Sequence, residues 1–186
     1  MTQNRKKIND RSVFHLISDI TEKEDVPCVL IGGFAVNYYK VSRNTNDIDF
    51  LLMEEDFKKI SHYLDEAGYK QISSHENFAQ FKSTRLSLMN VDFMFVEKET
   101  LTKILNESRE IKIAHQKFIV PSVEHLIALK LHAIKYQEKL RFYKDFPDIL
   151  NLIKANQINI KNENFKIICL KFGSQEIYQK ILEALE

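Results

Sequence analysis

The sequence predicts an α+β protein: a mixed sheet flanked by helices, followed by a C-terminal helical bundle. Short apolar or alternating runs such as "VPCVLIGG", "DIDFLLM", "NFAQFKST" and "MNVDFMFVEK" recur before Pro121, with helical segments between them. From Ser122 onward the apolar spacing is helical throughout. The length of 186 residues, 44% of them hydrophobic, suits one domain or a small core with a helical annex. The expected division is 1–121 for the α/β core and 122–186 for a helical region packed on it.

Each element has its own signal. About Asn9 to Lys23 reads as a helix, with Val13, Phe14, Ile17 and Ile20 on one face. "VPCVLIGG" reads as a buried strand ending in a turn, and "FAVNYYKV" as a short helix. "DIDFLLM" is a strand. "EEDFKKISHYLDEAG" is an amphipathic helix whose apolar positions are Phe57, Ile60, Tyr63, Leu64 and Ala67, with Gly68 as its stop. "YKQISS", "NFAQFKST" and "MNVDFMFVEK" follow as three strands, "KETLTKILNES" as a helix and "REIKIAHQKFIVP" as a hairpin. "SVEHLIALKLHAIKYQEKL" predicts one long helix with Val123, Leu126, Ile127, Lys130, Leu131 and Ile134 on a face. Three more helices are expected in "KDFPDILNLIKAN", "NENFKIICLKF" and "SQEIYQKILEALE".

Composition narrows the function. A formal net charge of +1 argues against a general electrostatic binder of nucleic acid or membranes. The polar, basic start and the lack of any long apolar run predict a cytoplasmic protein with no membrane segment. Cys28 and Cys169 are far apart, and Cys28 lies in an apolar run, as a buried free thiol would.

The residues with chemical potential gather in "VLIGGFAVNYYKVSRNTNDIDFLL". Alternation along a strand puts Asp47 and Asp49 on one face, where two carboxylates repel unless a cation joins them. A hard divalent ion such as Mg²⁺ takes oxygen ligands, one or two carboxylates and substrate phosphates among them. The alternative is a solvated strand end. Gly32 and Gly33 follow a buried strand and open a helix, a place where backbone N–H groups can approach phosphate; a tight turn or close packing would also use them. Asp92 is an acid among apolar neighbours, costly unless it is paired, metal-bound or at a sheet edge. If its strand lies beside "DIDFLL", three carboxylates converge.

The pattern "GG…R.T.DID" with a later strand aspartate resembles the minimal nucleotidyltransferases of the DNA polymerase beta superfamily. "RNTNDIDFLL" is similar to the abortive-infection toxin branch and to aminoglycoside- and lincosamide-modifying relatives. The helical half, "VPSVEHLIALKLHAIKYQEKLRFYKDFPDILNLI", resembles the abortive-infection branch, and maps its helix lysine and later K-D pair onto Lys130, Arg141, Lys144, Asp145 and Asp148. The resemblance implies Mg²⁺ or Mn²⁺ held by Asp47, Asp49 and Asp92, with Asp92 also the base for an acceptor hydroxyl. It implies an NTP site made by Gly32, Gly33, Arg43, Thr45, Lys130 and Lys144, in which Arg43 and Thr45 shape the loop before Asp47 and Arg43 can also reach a phosphate. The second glycine stands where many members have serine, so backbone donors replace a hydroxyl.

The implied reaction moves an NMP from an NTP to an acceptor. The toxin branch implies tRNA or a protein as acceptor and an antitoxin as partner, with "NRKKINDR", "KLRFYK", Lys82 and Arg85 as basic candidates. An antibiotic-modifying enzyme and a non-catalytic nucleotide-binding module are the alternatives.

Overall fold

The computed structural model describes residues 12–85 and 88–186. The basic stretch "NRKKINDR" and the first residues of the helix expected from Asn9 lie outside them. The chain forms two compact units: the described residues up to Phe34 with Asn44–Val120, and Ala35–Arg43 with Pro121–Glu186.

The first unit is built on a seven-stranded mixed sheet in the order β3-β4-β5-β2-β1-β7-β6. Its strands are β1 (Val29–Ile31), β2 (Asp47–Leu52), β3 (Tyr69–His75), β4 (Phe78–Ser83), β5 (Asn90–Phe95), β6 (Arg109–Ile113) and β7 (Gln116–Val120). β2 runs parallel to β5 and β1 parallel to β7, while the other neighbours are antiparallel. Helices α1 (Val13–Lys23), α3 (Glu54–Glu66) and α4 (Lys98–Asn106) belong to this unit.

Period-two alternation sorts β2, β4 and β5. Ile48, Phe50, Ala79, Phe81, Val91 and Phe93 are buried, whereas Asp47, Asp49, Gln80 and Asp92 on the other face are half-buried. The buried face meets α3: Phe57 packs against Phe81, Phe93 and Phe95 with ring centroids 5.9, 5.3 and 4.9 Å apart. Phe14 of α1 packs edge-on against Phe118 of β7. With one face of the central strands committed to phenylalanine, the other is left for polar chemistry.

The second unit holds α5 (Val123–Tyr136), α6 (Glu138–Ala155), α7 (Glu163–Phe172), α8 (Gln175–Leu185) and the segment Ala35–Arg43. Helix α2 (Gly32–Tyr38) starts at the glycine pair, and the division between units falls within it, after Phe34. Ser122, Asn162 and Ser174 cap α5, α7 and α8, each accepting a backbone N–H through its side-chain oxygen.

The long helix expected to run from Ser122 through Leu140 is two helices. It breaks at Gln137, whose φ of −139° and ψ of 48° are non-helical, and α6 then runs through Lys144 with Pro147 inside it. Proline forgoes one helical hydrogen bond at an interior position. Buried Ile149, Leu152 and Ile153 keep the helix in place beyond it. Tyr39 donates its hydroxyl proton to the Pro121 carbonyl at 2.6 Å, and Asn156 donates to the Tyr39 carbonyl at 3.2 Å, which tie the 35–43 segment to these helices. No helix among the described residues is long and apolar enough to cross a membrane.

Candidate functional site

In the first unit the parallel pairing of β2 with β5 places Asp49 opposite Asp92 and Asp47 opposite Asn90. Paired residues on adjacent strands project to one face, so the three carboxylates share one patch of the sheet. Asp47 and Asp49 are two residues apart on β2, and Asp92 stands beside Asp49 on β5.

The carboxylates are held by local contacts. Asp92 Oδ2 accepts a hydrogen bond from Gln80 Nε2 at 2.9 Å, and Gln80 is the register partner of Asp92 on β4. Asp47 Oδ1 accepts from the Asn46 N–H at 3.2 Å. The Thr45 hydroxyl donates to the Asp47 carbonyl at 3.0 Å, bracing the loop at the start of β2.

The glycine pair faces these same groups. Gly32 has φ +62°, a conformation glycine adopts freely, and a Cβ there would collide with the Asp49 carboxylate. A Cβ at Gly33 would stand 2.6 Å from Thr45 Cβ. The absent methyl groups make room for Asp49 and for the Thr45 loop, a steric reason for both glycines beyond an approach to phosphate.

Three carboxylates on neighbouring strands are the hard oxygen donors that Mg²⁺ or Mn²⁺ takes, and the donor set fits such an ion. They do not form a closed cage: among the described residues no group of three or more His, Cys, Asp or Glu is arranged to hold a metal by itself. Mg²⁺ commonly completes its shell with water and substrate phosphate, which suits an open set.

In the second unit the basic residues are arranged differently. Lys130 is only 6% exposed, and its Nζ lies 2.7 Å from both Asp145 and Asp148, which are 4% and 6% exposed. Arg43 reaches the same Asp148 Oδ2 at 2.8 Å, and Arg141 lies 3.9 Å from Asp145. The Arg43 backbone is clamped by Asn37, whose Oδ1 accepts the Arg43 N–H at 2.7 Å and whose Nδ2 donates to the Arg43 carbonyl at 3.0 Å. Lys130 and Arg43 thus give their charge to protein carboxylates, whereas Lys144 is exposed.

Gln80 and Asn37 were not singled out by sequence reasoning. Gln80 had a faint signal, since alternation in "NFAQFKST" puts it opposite Ala79 and Phe81; Asn37 had none. Neither cysteine offers a nucleophile near neutral pH. Both are free; burial pushes the Cys169 thiol up to about 12 and raises half-buried Cys28 as well, with the Asp56 charge adding to the latter.

The fold is shared with solved nucleotidyltransferases. The antibiotic-resistance factor ANT(2″)-Ia superposes with a TM-score of 0.56 at 14% identity, over 97% of this chain and 91% of that one. The lincosamide antibiotic adenylyltransferase LnuA, in its lincomycin-bound structure, gives 0.54 at 18% identity over 76% and 94%. The polyadenylate synthase of Megavirus gives 0.55 at 20% identity, over 82% of this chain but 32% of that longer one. No curated protein matches in sequence. The family model described as "Uncharacterised nucleotidyltransferase" matches residues 11–186, so the chain belongs to that nucleotidyltransferase family.

Proposed function

We propose that this protein moves a nucleoside monophosphate from an NTP to an acceptor hydroxyl, releasing pyrophosphate, and that it works in the cytoplasm. The observation that carries the reading is the register of β2 against β5, which gathers Asp47, Asp49 and Asp92 on one sheet face. A divalent cation, Mg²⁺ or Mn²⁺, held by carboxylates from Asp47, Asp49 and Asp92 together with substrate phosphate and water, would neutralise charge at the attacking and leaving oxygens.

The protein's own residues supply the remainder. Asp92 accepts the proton of the acceptor hydroxyl as it attacks the α-phosphate. Gln80 occupies Asp92 Oδ2 and so orients the carboxylate. Gly32 and Gly33 let the nucleotide phosphates come close to backbone N–H groups. Thr45 fixes the start of β2. Lys144, exposed on α6, is the further phosphate-binding cation that the resemblance assigns. Lys130 and Arg43 act at one remove, by fixing α5, α6 and the loop that leads to Thr45.

By its resemblance to the abortive-infection branch we assign the protein a toxin role, with RNA or a protein as acceptor and an antitoxin as partner. A second reading, an antibiotic-modifying enzyme, is favoured by the likeness of fold to ANT(2″)-Ia and LnuA. The test is transfer from α-labelled NTPs, with Mg²⁺ or Mn²⁺, to bulk tRNA, cell protein, and a panel of aminoglycosides and lincosamides. Label on tRNA or protein supports the first reading, and label on a drug the second. Nucleotide binding with transfer to none of them identifies a binding module and overturns both.

A further inference from the structure

The junction of α5 and α6 carries a strip unlike the rest of the surface. Tyr136, Leu140 and Tyr143 are 70%, 78% and 86% exposed, the most exposed large hydrophobic side chains among the described residues. Exposed Lys135, Lys139 and Lys144 and half-buried Arg141 are interleaved with them, and Glu138 is the one acid between Lys135 and Lys144 in the sequence.

Helical spacing puts the α6 members on one side of that helix, with Lys135 and Tyr136 at the adjoining end of α5. Lys139 and Tyr143 are four residues apart, as are Leu140 and Lys144, so each cation stands beside an apolar side chain. The opposite side of α6 is committed to the interior through Asp145, Asp148, Ile149 and Leu152. Tyr136 is braced by the His132 ring at 4.6 Å. A single apolar side chain in water needs no explanation, but two tyrosines and a leucine beside exposed Lys135 and Lys139 select a ligand that is both flat and anionic.

We propose that this strip docks single-stranded RNA, with bases stacking on Tyr136 and Tyr143 and phosphates on Lys135 and Lys139. The proposal gives the class of acceptor within the function proposed above, and rests on that reading for its role in transfer but not for binding. Unpaired bases offer stacking faces spaced by phosphates. A duplex hides those faces, so it would use the lysines alone. A second copy of this chain across a two-fold axis would set like charges against each other, and a wholly apolar partner would bury Lys139 without an anion.

The experiment is fluorescence anisotropy of the full chain with a labelled single-stranded RNA of about 12 nucleotides, without NTP. Wild type should bind, and Tyr136→Ala with Tyr143→Ala should weaken binding about tenfold or more, as loss of base stacking does. Lys139→Glu should lower the salt dependence by about one phosphate contact. Circular dichroism checks that these surface variants are folded. Asp49→Asn should bind RNA like wild type, which separates failure of docking from failure of the transfer reading. Undiminished binding by the folded double tyrosine variant would overturn the proposal. So would equal competition by an RNA duplex, or self-association through the strip without RNA binding.

Discussion

Each compact unit of this protein has a cluster of aspartates, and the two clusters follow opposite plans. In the sheet, Asp47, Asp49 and Asp92 carry the same sign, lie on one face and are half-buried. In the helices, Asp145 and Asp148 are buried against Lys130, with Arg43 on Asp148. The second cluster is balanced internally, and its desolvation is offset only while every member is present. The first gathers carboxylates on a half-buried sheet face, the arrangement on which the proposed cation site rests. Sign and access, not residue type, separate the proposed ligand site from the structural ion cluster.

The largest effect is expected in the sheet. Asp49→Asn should lower transfer by about 10²- to 10³-fold, the scale seen when electrostatic stabilisation of a transition state is removed. Its melting temperature should change little, since the variant keeps the size of the side chain and the fold of β2. Parallel transfer assays and thermal melts check this, and an active Asp49→Asn enzyme would break the contrast from the catalytic side.

Next comes the helical cluster. Lys130→Met leaves two buried carboxylates without their shared cation and should cost about 3 kcal/mol of stability, measured by urea unfolding. Should it fold as stably as wild type and lose only NTP affinity, Lys130 is a nucleotide ligand after all and the two clusters serve one purpose.

The smallest effect concerns the glycine pair. Gly33→Ala puts a methyl group 2.6 Å from Thr45 Cβ and should cost about 2 kcal/mol through overpacking. Adding Thr45→Gly removes the opposing Cβ, and the coupling should appear in a double-mutant cycle as recovery of part of the loss. Simple additivity would mean that Gly33 is there for phosphate alone.

What could be read beforehand follows the range of the interactions. Strands with period-two alternation, the shared face of Asp47 and Asp49, and the Gly68 stop all depend on neighbours a few residues away. The convergence of Asp92 was legible only as a condition, because strand adjacency is not written in either strand. Gln80 meets Asp92 through a strand pairing of the same kind, and glutamine has no signature of its own. Lys130 was legible as a lysine on an apolar face, but its pairing with Asp145 and Asp148, 15 and 18 residues on, depends on how α5 and α6 pack, and the third member, Arg43, is 105 residues from Asp148 in sequence. The break at Gln137 was missed because helix-forming residues continue through it, and Pro147, the expected interrupter, lies within a helix held by tertiary packing.

The allocation of Ala35–Arg43 to the helical unit has a consequence for how the chain is made. On the ribosome this segment emerges early, yet its hydrogen-bond partners Pro121, Asp148 and Asn156 lie 82, 105 and 117 residues further on. Until those are synthesised, the segment lacks these long-range partners, while the sheet can be completed once Val120 is out. Vectorial synthesis thus imposes an order on the two units. A nascent chain arrested before Asp148 would carry a finished sheet and a segment still short of its distant partners, an opening for a chaperone or a protease at Ala35–Arg43.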